Sequence, residues 1–233
     1  ITPTEPNIQE TSGRTGVVQT FQDLLKSPND EKLFEYYAAS QLALIDVDGR
    51  VREIGPPVIF DNAEFSPDGK YILAERIERP YSYQFPYNRF PKKIEIWDAS
   101  GKLVKSVAEL PLQNNLPAQG VPVGPRGLSW VPTEAAMLTW TEALDGGDPR
   151  KKAPHRDKVM SWAAPFAGAP SELLKTEHRH QGRSFGEKDG LMFYYDYNRD
   201  TQRRRMFMTD YRSPAKSTLV SDLSVNDRYN DIG

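Results

Sequence analysis

Hydrophobic and polar residues alternate with a period of two over most of the chain after Ser40, the pattern of β-strands with one buried face. Short alternating runs are separated by turn sequences such as Asp48-Gly49 and Ser66-Pro67-Asp68-Gly69. Strand, turn and strand at this spacing predict antiparallel sheets.

The first forty residues lack this alternation. Residues 1–19 mix Thr, Pro, Glu, Gln and Gly without periodicity, which is typical of a linker or a loop. Residues 20–40 contain two apolar clusters separated by Ser27-Pro28-Asn29, and these predict two short helices. We expect Thr20 to cap the first helix and Asn29 or Asp30 to cap the second.

The strand pattern recurs along the chain. First hairpins contain Phe65, Trp130 and Phe185, and second hairpins follow around Trp97, Trp162 and Met208, with an insertion of variable length inside each unit. Four-stranded repeats of about 40 to 50 residues, lengthened by insertions, are typical of β-propeller blades. The sequence therefore predicts an all-β fold, a β-propeller fragment of about three and a half four-stranded antiparallel blades with a short helical insertion near its N-terminus.

The repeat also predicts how the chain is divided. We assign residues 1–19 to a linker or loop, 20–40 to the helical insertion, 41–55 to the outer strands of a preceding blade, 56–118, 119–178 and 179–223 to three whole blades, and 224–233 to the start of a further blade. Because such a chain begins and ends within blades, we expect it to be part of a longer protein. Open sheet edges near Gln41 and Asn226 would then allow self-association.

Composition narrows the classes of function. The chain has 233 residues, 30 Lys and Arg, 32 Asp and Glu and a formal net charge of -2, which disfavours nucleic acid as a partner. It has no Cys, which excludes disulfides, thiolate catalysis and Cys-based zinc sites. No apolar run approaches the roughly 18 residues of a membrane span. The compartment is unknown from these features.

One motif matches a catalytic pattern literally. Gly182-Arg183-Ser184-Phe185-Gly186 fits G-x-S-x-G, but a nucleophile elbow needs a buried strand before the Ser, a helix after it and a base His later in the chain. His155, His178 and His180 all precede Ser184. We therefore interpret Ser184 as a strand residue and predict no catalytic residue in the chain.

Three other polar clusters have simple interpretations. His178 and His180 with Glu177 resemble part of a metal site, but no third ligand stands at a recognisable spacing, so we interpret them as a solvated strand end. Residues 145–148, Asp-Gly-Gly-Asp, lack the spaced carboxylates of a calcium loop and predict a turn. The run 203–205 of three Arg indicates a turn or outer strand kept soluble by charge. We predict no metal and no cofactor.

The most unusual segment is Glu78–Lys93, which lies in the insertion of the first whole blade. It places four cations among five aromatic rings and three prolines, so it predicts a stiff loop that offers donors to an anion. The candidate binding residues are Arg79, Tyr81, Arg89 and Lys92. The alternative is that these cations pair with sheet carboxylates such as Glu75 or Glu95 and only stabilise the loop.

Several stretches together identify a family. They are FQDLL (21–25), LFEYYAASQL (33–42), IGPPV (54–58), SPDGKYIL (66–73), RPYSY (79–83), RFPKKIEIW (89–97) and DGGD (145–148). From about Thr20 to Gly233 the chain resembles the β-propeller of the glutamyl endopeptidase branch of the prolyl oligopeptidase family. The resemblance implies a propeller that covers a C-terminal α/β-hydrolase domain with a Ser, Asp, His triad. Neither that domain nor the remaining blades are present here, so no catalytic residue is carried over.

The resemblance implies a non-catalytic propeller segment of a serine peptidase, which restricts access to the active site and contributes to substrate binding. Its partners would be a peptide or unfolded protein substrate and the hydrolase domain of the same protein, in a bacterial exported or chloroplast-like location. Arg89, with Arg79 or Lys92, would then bind an acidic substrate side chain. Two alternatives stay open: a propeller-type interaction scaffold without peptidase activity, and a carbohydrate-binding propeller supported only by exposed Trp and Tyr.

Overall fold

The computed structural model describes residues 21–188, 190–214 and 216–227. In chain order these residues form α1 (Pro28–Ala38), β1 (Ala39–Ile45), β2 (Val51–Phe65), β3 (Tyr71–Ile77), a short 3-10 helix (Tyr87–Arg89), β4 (Lys92–Asp98), β5 (Leu103–Leu110), β6 (Arg126–Trp130), β7 (Met137–Ala143), β8 (Asp157–Ala163), β9 (Ser171–Thr176), β10 (Arg179–Phe185), β11 (Leu191–Asn198), β12 (Arg203–Asp210) and β13 (Thr218–Ser224).

The strands form three antiparallel sheets in which neighbours in space are neighbours in sequence. The first sheet contains β1 to β5, the second β6 to β9 and the third β10 to β13. This arrangement confirms the predicted all-β propeller-fragment fold with one short helix near the N-terminus. The bounds of the individual blades stay a prediction, as does self-association. Among the described residues, β1 and β13 each pair with a strand on one side only.

The three units are equivalent residue by residue. Phe65 pairs with Ile72, Trp130 with Leu138 and Phe185 with Met192, so the predicted first-hairpin positions correspond. On the next strand, Trp97, Trp162 and Thr209 pair with the same three partners. The choice of Met208 as the third equivalent was therefore wrong by one residue. The adjacent residue Thr209 occupies the position, because its pairing with Met192 of β11 sets which face of the strand its side chain takes.

Equivalent residues pack each sheet against the element that precedes it in the chain. Ile72 lies in a cluster with Ile54 of the β1–β2 hairpin. Leu138 packs with residues of the first sheet, and Met192 packs with residues of the second. The sheets are therefore stacked face to face, as blades are.

The helical region differs from its prediction. Residues 21–26 form no helix, and Thr20 lies outside the described residues. The helix α1 begins at Pro28, where a proline needs no N–H partner, and the Ser27 hydroxyl caps it by accepting from the amide of Asp30. Ser27 is thus the cap, and not Asn29 or Asp30. Within the described part of the chain, no helix has the length and apolarity needed to cross a membrane.

Five connections leave the sheets at the same end because strand direction alternates. They are the insertion 78–91 between β3 and β4, the insertion 144–156 between β7 and β8, the insertion 199–202 between β11 and β12, and the links between sheets, 111–125 and 177–178. We call this end of the molecule the insertion face. It carries the loop that the sequence singled out and the cavities described below.

Candidate functional site

The loop Glu78–Lys93 packs against α1. The Arg79 guanidinium donates to Glu31 at 2.6 Å and to Glu35 at 2.7 Å. It also lies 4.8 Å from the centre of the Tyr81 ring, and the Tyr81 hydroxyl donates to Glu35 at 3.0 Å. The loop and the helix are therefore joined by a small ion-pair network.

This network neutralises the first candidate cation. Hydrogen bonds from Arg79 lower the pKa of Glu31 and of Glu35. Burial, together with the hydrogen bond to Glu35, raises the pKa of Tyr81 to about 12. Arg79 is thus already compensated by two helix carboxylates, although half of its side chain is exposed.

The other two candidates lie elsewhere in the loop. The Arg89 guanidinium stacks 4.9 Å from the Phe21 ring and 5.3 Å from the Phe85 ring. The Lys92 ammonium forms an ion pair with Asp61 of β2 at 2.5 Å. The structure therefore brings Arg79 and Tyr81 together but not all four candidates, and their role in substrate binding stays a prediction.

The alternative, that the loop cations pair with sheet carboxylates such as Glu75 or Glu95, named the wrong carboxylates. Glu95 accepts two hydrogen bonds from Arg76 at 3.0 Å each, and Glu75 accepts from Asn62 at 3.3 Å. Arg79 and Lys92 do pair with carboxylates, but these belong to α1 and β2. Sequence spacing could not show this because the partners of Arg79 are 44 and 48 residues away.

Lys92 borders a cavity of about 220 Å³ between the first and second sheets. Asp61, Glu75 and Arg126 line it as well, so its walls carry both signs of charge. Burial raises the pKa of Glu75. This carboxylate therefore retains a proton to a higher pH than an exposed glutamate.

A larger cavity of about 500 Å³ lies on the insertion face between the second and third sheets. Its lining comes from both links between sheets, from two insertions, from the start of β10 and from the end of β11. The residues are Gln119, Pro149, Ala153, Pro154, Arg156, Glu177, His178, Arg179, Tyr197, Asn198, Arg199 and Asp200.

Two buried aspartates hold the arginines beneath this cavity. Asp145 accepts from Arg156 at 2.9 Å and from Arg179 at 2.5 Å, and its side chain is fully buried. Burial alone would raise the pKa of Asp145, but the hydrogen bonds from Arg179 and Arg156 lower it below its ordinary value. Asp145 is therefore a fixed negative charge under the cavity.

Asp157 continues the network toward the second cavity. It forms ion pairs with Arg179 and Arg126 at 2.7 Å each and accepts from the amide of His180 at 2.7 Å. The ions thus alternate in the order Arg156, Asp145, Arg179, Asp157, Arg126. Such pairing offsets the cost of burying each charge.

Two more ionisable groups lie between these sheets, the partly buried Arg183 and the buried His180, and neither has a counterion among the described residues. Arg183 donates to Thr139, Ser129 and the carbonyl oxygen of Gly127. Burial lowers its pKa to about 10. Burial, with the nearby Arg183 and Arg126, lowers the pKa of His180 to about 3, so its imidazole is neutral near pH 7.

Several sequence interpretations are settled by these positions. Ser184 lies inside β10 and pairs with Phe193, which confirms it as a strand residue. His180 is 8% exposed, so a solvated strand end was wrong for this residue, because its strand faces the second sheet. Among the described residues, no group of three or more His, Cys, Asp or Glu could hold a metal.

Residues 145–148 and 203–205 each contain a residue that belongs to an ion pair with a buried carboxylate, which the sequence did not predict. Gly146 and Gly147 have φ of 68° and 76°, so residues 145–148 do form a turn, but Asp145 is also a buried ion-pair partner. Arg205 donates to the buried Asp196 through two nitrogens, at 2.9 and 2.6 Å. The interpretation of residues 203–205 as a solvated run is therefore wrong for Arg205.

The carbohydrate-binding alternative loses part of its basis. All four Trp side chains, Trp97, Trp130, Trp140 and Trp162, are buried in the packed sheets, with 2 to 7% exposure. They are core residues and present no stacking surface to a sugar. The large exposed aromatic side chains in the described residues are tyrosines, Tyr36, Tyr37, Tyr83 and Tyr87, together with Phe65.

Sequence reasoning missed the network around Asp145 and Asp157. The available signal was their position, because each stands beside a strand boundary at one end of the insertion 144–156. Nothing in the local pattern distinguishes a buried aspartate there from an exposed turn residue. Their partners Arg126 and Arg179 come from the first strands of two different sheets.

The chain is similar in sequence to two curated plant proteins. It is 38% identical over 236 residues to a probable chloroplastic glutamyl endopeptidase of Oryza sativa subsp. japonica. The aligned region covers 99% of this chain and 25% of that protein. It is 35% identical over 238 residues to the probable chloroplastic glutamyl endopeptidase of Arabidopsis thaliana, covering 100% and 25%. The chain spans about a quarter of the length of these curated relatives, and no family model matches it.

Solved structures resemble the chain more distantly. One is the uncharacterized protein lmo1340 of Listeria monocytogenes, with 13% identity, a TM-score of 0.48 and coverage of 78% of this chain and 47% of that one. Another is the acylaminoacyl peptidase of Pyrococcus horikoshii, with 14% identity, a TM-score of 0.45 and coverage of 80% and 28%. At these scores neither likeness carries an argument. The sequence relatives alone confirm the family resemblance that the motifs indicated.

Proposed function

Starting from the kinship of this chain with a segment of the glutamyl endopeptidases, we propose that it is a non-catalytic propeller segment of a serine peptidase. In that enzyme it restricts access to the active site and contributes to substrate binding. The observation that carries the proposal is the similarity over nearly the whole chain to one quarter of those peptidases. The position of Ser184 within β10 supports the non-catalytic part.

The role in restricting access is supported by the packing of the sheets. Three hydrophobic clusters join the β1–β2 hairpin and the three sheets into one stack. A closed ring of such sheets would admit a flexible peptide to an active site more readily than a folded protein. In the complete enzyme, the hydrolase domain of the same polypeptide would be the partner of this segment.

The contribution to substrate binding rests on the loop Glu78–Lys93. A site for an acidic side chain needs cationic donors held in place, because the carboxylate loses its water on binding. The Arg89 guanidinium packs against the Phe21 and Phe85 rings, and these cation–π contacts hold it in place. Arg89 would bind the substrate carboxylate, with the half-exposed Arg79 or with Lys92 as the second cation.

The test is a substitution in the complete peptidase that contains this segment. Arg89→Gln should lower kcat/KM for a glutamyl peptide about tenfold to a hundredfold, since one charge-assisted hydrogen bond of roughly 1.5 to 3 kcal/mol is lost. The same peptide with Gln in place of Glu should be affected much less. Arg52→Gln is the matched control, because Arg52 reaches the carbonyl oxygen of Ala99 at the end opposite the insertion face.

Two results would reject parts of the proposal. Equal losses on both peptides, or none on either, would assign Arg89 to loop structure. Stoichiometric labelling of Ser184 by an active-site serine reagent would show that the segment is itself catalytic. The two assays are independent, so each part stands or fails separately.

The interaction scaffold is the second candidate, and α1 favours it. Tyr36 and Tyr37 of this helix are each 78% exposed and Leu33 is 45% exposed, which is an unusual amount of apolar surface for a single helix. A complete protein without peptidase activity on any glutamyl peptide would support this scaffold, with self-association through the open edges near Gln41 and Asn226.

A further inference from the structure

We propose that the cavity of about 500 Å³ between the second and third sheets is a binding site for an acidic peptide side chain, with Arg156 as the residue that contacts the carboxylate. The site is separate from the loop Glu78–Lys93. The inference goes beyond the proposed function because it concerns binding to this chain and needs no peptidase activity.

Arg156 has an unused pair of donors. Its Nη1 atom donates to Asp145 at 2.9 Å and to the carbonyl oxygen of Lys151 at 3.2 Å. Within residues 21–188, 190–214 and 216–227, its Nε and Nη2 atoms have no hydrogen-bond partner. The side chain is 23% exposed and lines the cavity, so this edge of the guanidinium is accessible to a ligand.

The same edge binds carboxylates elsewhere in this chain. Arg76 uses Nε and Nη2 to bind Glu95 at 3.0 Å each, and Arg150 uses them to bind Asp148 at 2.9 and 2.8 Å. Two parallel hydrogen bonds of this kind are the strongest arrangement between arginine and a carboxylate. The unused edge of Arg156 is therefore suited to a carboxylate that the chain itself does not supply.

The buried network below the cavity fixes this edge and favours a negative ligand. Arg126, Arg156 and Arg179 contact two buried carboxylates, those of Asp145 and Asp157. Within this group of five residues, three positive charges face two negative charges. Because Asp145 also binds Arg179 and the amide of Gly147, Arg156 is held before the ligand arrives, which lowers the entropic cost of binding.

The remaining lining is compatible with a peptide. Arg199 and Asp200 are exposed charges of opposite sign, and Glu177 lies 3.0 Å from Arg205, a cation that it shares with the buried Asp196. Proline and tyrosine side chains supply apolar walls, and amides supply hydrogen-bonding groups. A volume of about 500 Å³ lies within the roughly 300 to 1,000 Å³ of ordinary ligand sites and suits a few residues of peptide.

The test is calorimetric titration of the 233-residue chain with two blocked tetrapeptides, acetyl-Ala-Ala-Glu-Ala-amide and its Gln analogue. Blocked ends leave the Glu side chain as the one carboxylate of the first peptide. We expect the Gln analogue to bind at least tenfold more weakly, since it lacks the charge that matches Arg156. Equal affinities, or no binding of either peptide, would overturn the proposal.

Variants locate the site. Arg156→Gln should weaken binding of the Glu peptide at least tenfold, and Arg156→Lys should restore little, because lysine keeps the charge but not the paired donors. Arg150→Gln is the control: Arg150 lies in the same insertion, but its donor edge is used by Asp148 and it does not line the cavity. Equal weakening by the Arg150 variant would place the binding elsewhere. If Arg156→Gln fails to fold, the relative affinities of the Glu and Gln peptides for the unmodified chain still test the proposal.

Discussion

Between the first and second sheets the chain buries aromatic and aliphatic side chains, whereas between the second and third sheets it also buries arginine and aspartate. The first interface contains Leu73, Ile94 and Ile96 of one sheet and Leu138, Trp130, Trp140 and Trp162 of the other. The second contains an apolar cluster around Met192 and Val159. Beside this cluster lies the ion-pair network of Arg156, Asp145, Arg179, Asp157 and Arg126.

The difference shows that one repeat can form two kinds of interface. At the first interface Leu73 of β3 faces the next sheet, and the equivalent residue at the second interface is Thr139, which accepts from Arg183. An apolar interface gains stability from every residue that fits, whereas a buried ionic interface is stable only while each charge keeps its partner. The second interface is therefore the better place for a site that discriminates charge.

The largest expected effect is at the centre of the ionic interface. Asp157→Ala should lower the free energy of unfolding by about 3 to 5 kcal/mol, because the largely buried Arg126 and Arg179, 18% and 14% exposed, would lose this fully buried counterion. Urea unfolding followed by tryptophan fluorescence measures it. Asp148→Asn is the control, since Asp148 pairs with Arg150, which is 76% exposed, and should show no measurable change. Similar losses in both variants would contradict the distinction between buried and surface pairs.

A second prediction concerns the apolar interface. Leu138 is fully buried between the first and second sheets, so Leu138→Ala should lower the free energy of unfolding by about 2 to 5 kcal/mol through lost burial and a new cavity. This loss should be the same in low and high salt, because the substitution removes no charge. The comparison in urea at two salt concentrations checks it. A strong salt dependence of the Leu138 effect would show that the two interfaces are coupled.

The sheets were predictable because their signal is local. Alternation over a few residues indicates a strand, and turns such as Ser66-Pro67-Asp68-Gly69 mark its end, so the equivalence of Phe65, Trp130 and Phe185 was visible in the sequence. The helix cap differed by two or three residues because several capping residues stand side by side around Pro28.

The candidate site was less predictable because its contacts are distant in sequence. Asp145 meets Arg179 across 34 residues, and Arg183 meets Gly127 across 56. Whether a charged residue is buried depends on which sheet its strand faces, and strand register decides that only after folding. The loop Glu78–Lys93 was conspicuous for its composition, but the partners of its cations could not be read from that composition.

His180 gives the smallest and most specific prediction. Its pKa is about 3 when folded and about 6.5 when unfolded, so the unfolded chain binds the proton first as the pH falls. The free energy of unfolding should therefore decrease between pH 6.5 and 5, by up to about 1.4 kcal/mol for each unit. Glu64 and Glu75, whose pKa burial raises, act with the opposite sign at lower pH. A variant is needed to isolate the histidine.

His180→Phe is that variant. Neither ring nitrogen of His180 has a hydrogen-bond partner in the described residues, so phenylalanine removes the titration without removing a hydrogen bond, and the ring can still pack near Tyr194. At pH 7.5 the variant should be about as stable as the unmodified chain, and its stability should change less down to pH 5. Urea midpoints at half-unit steps measure both slopes. Identical slopes would mean that His180 takes up its proton over the same pH range in the folded and the unfolded chain, which would contradict a pKa lowered by burial.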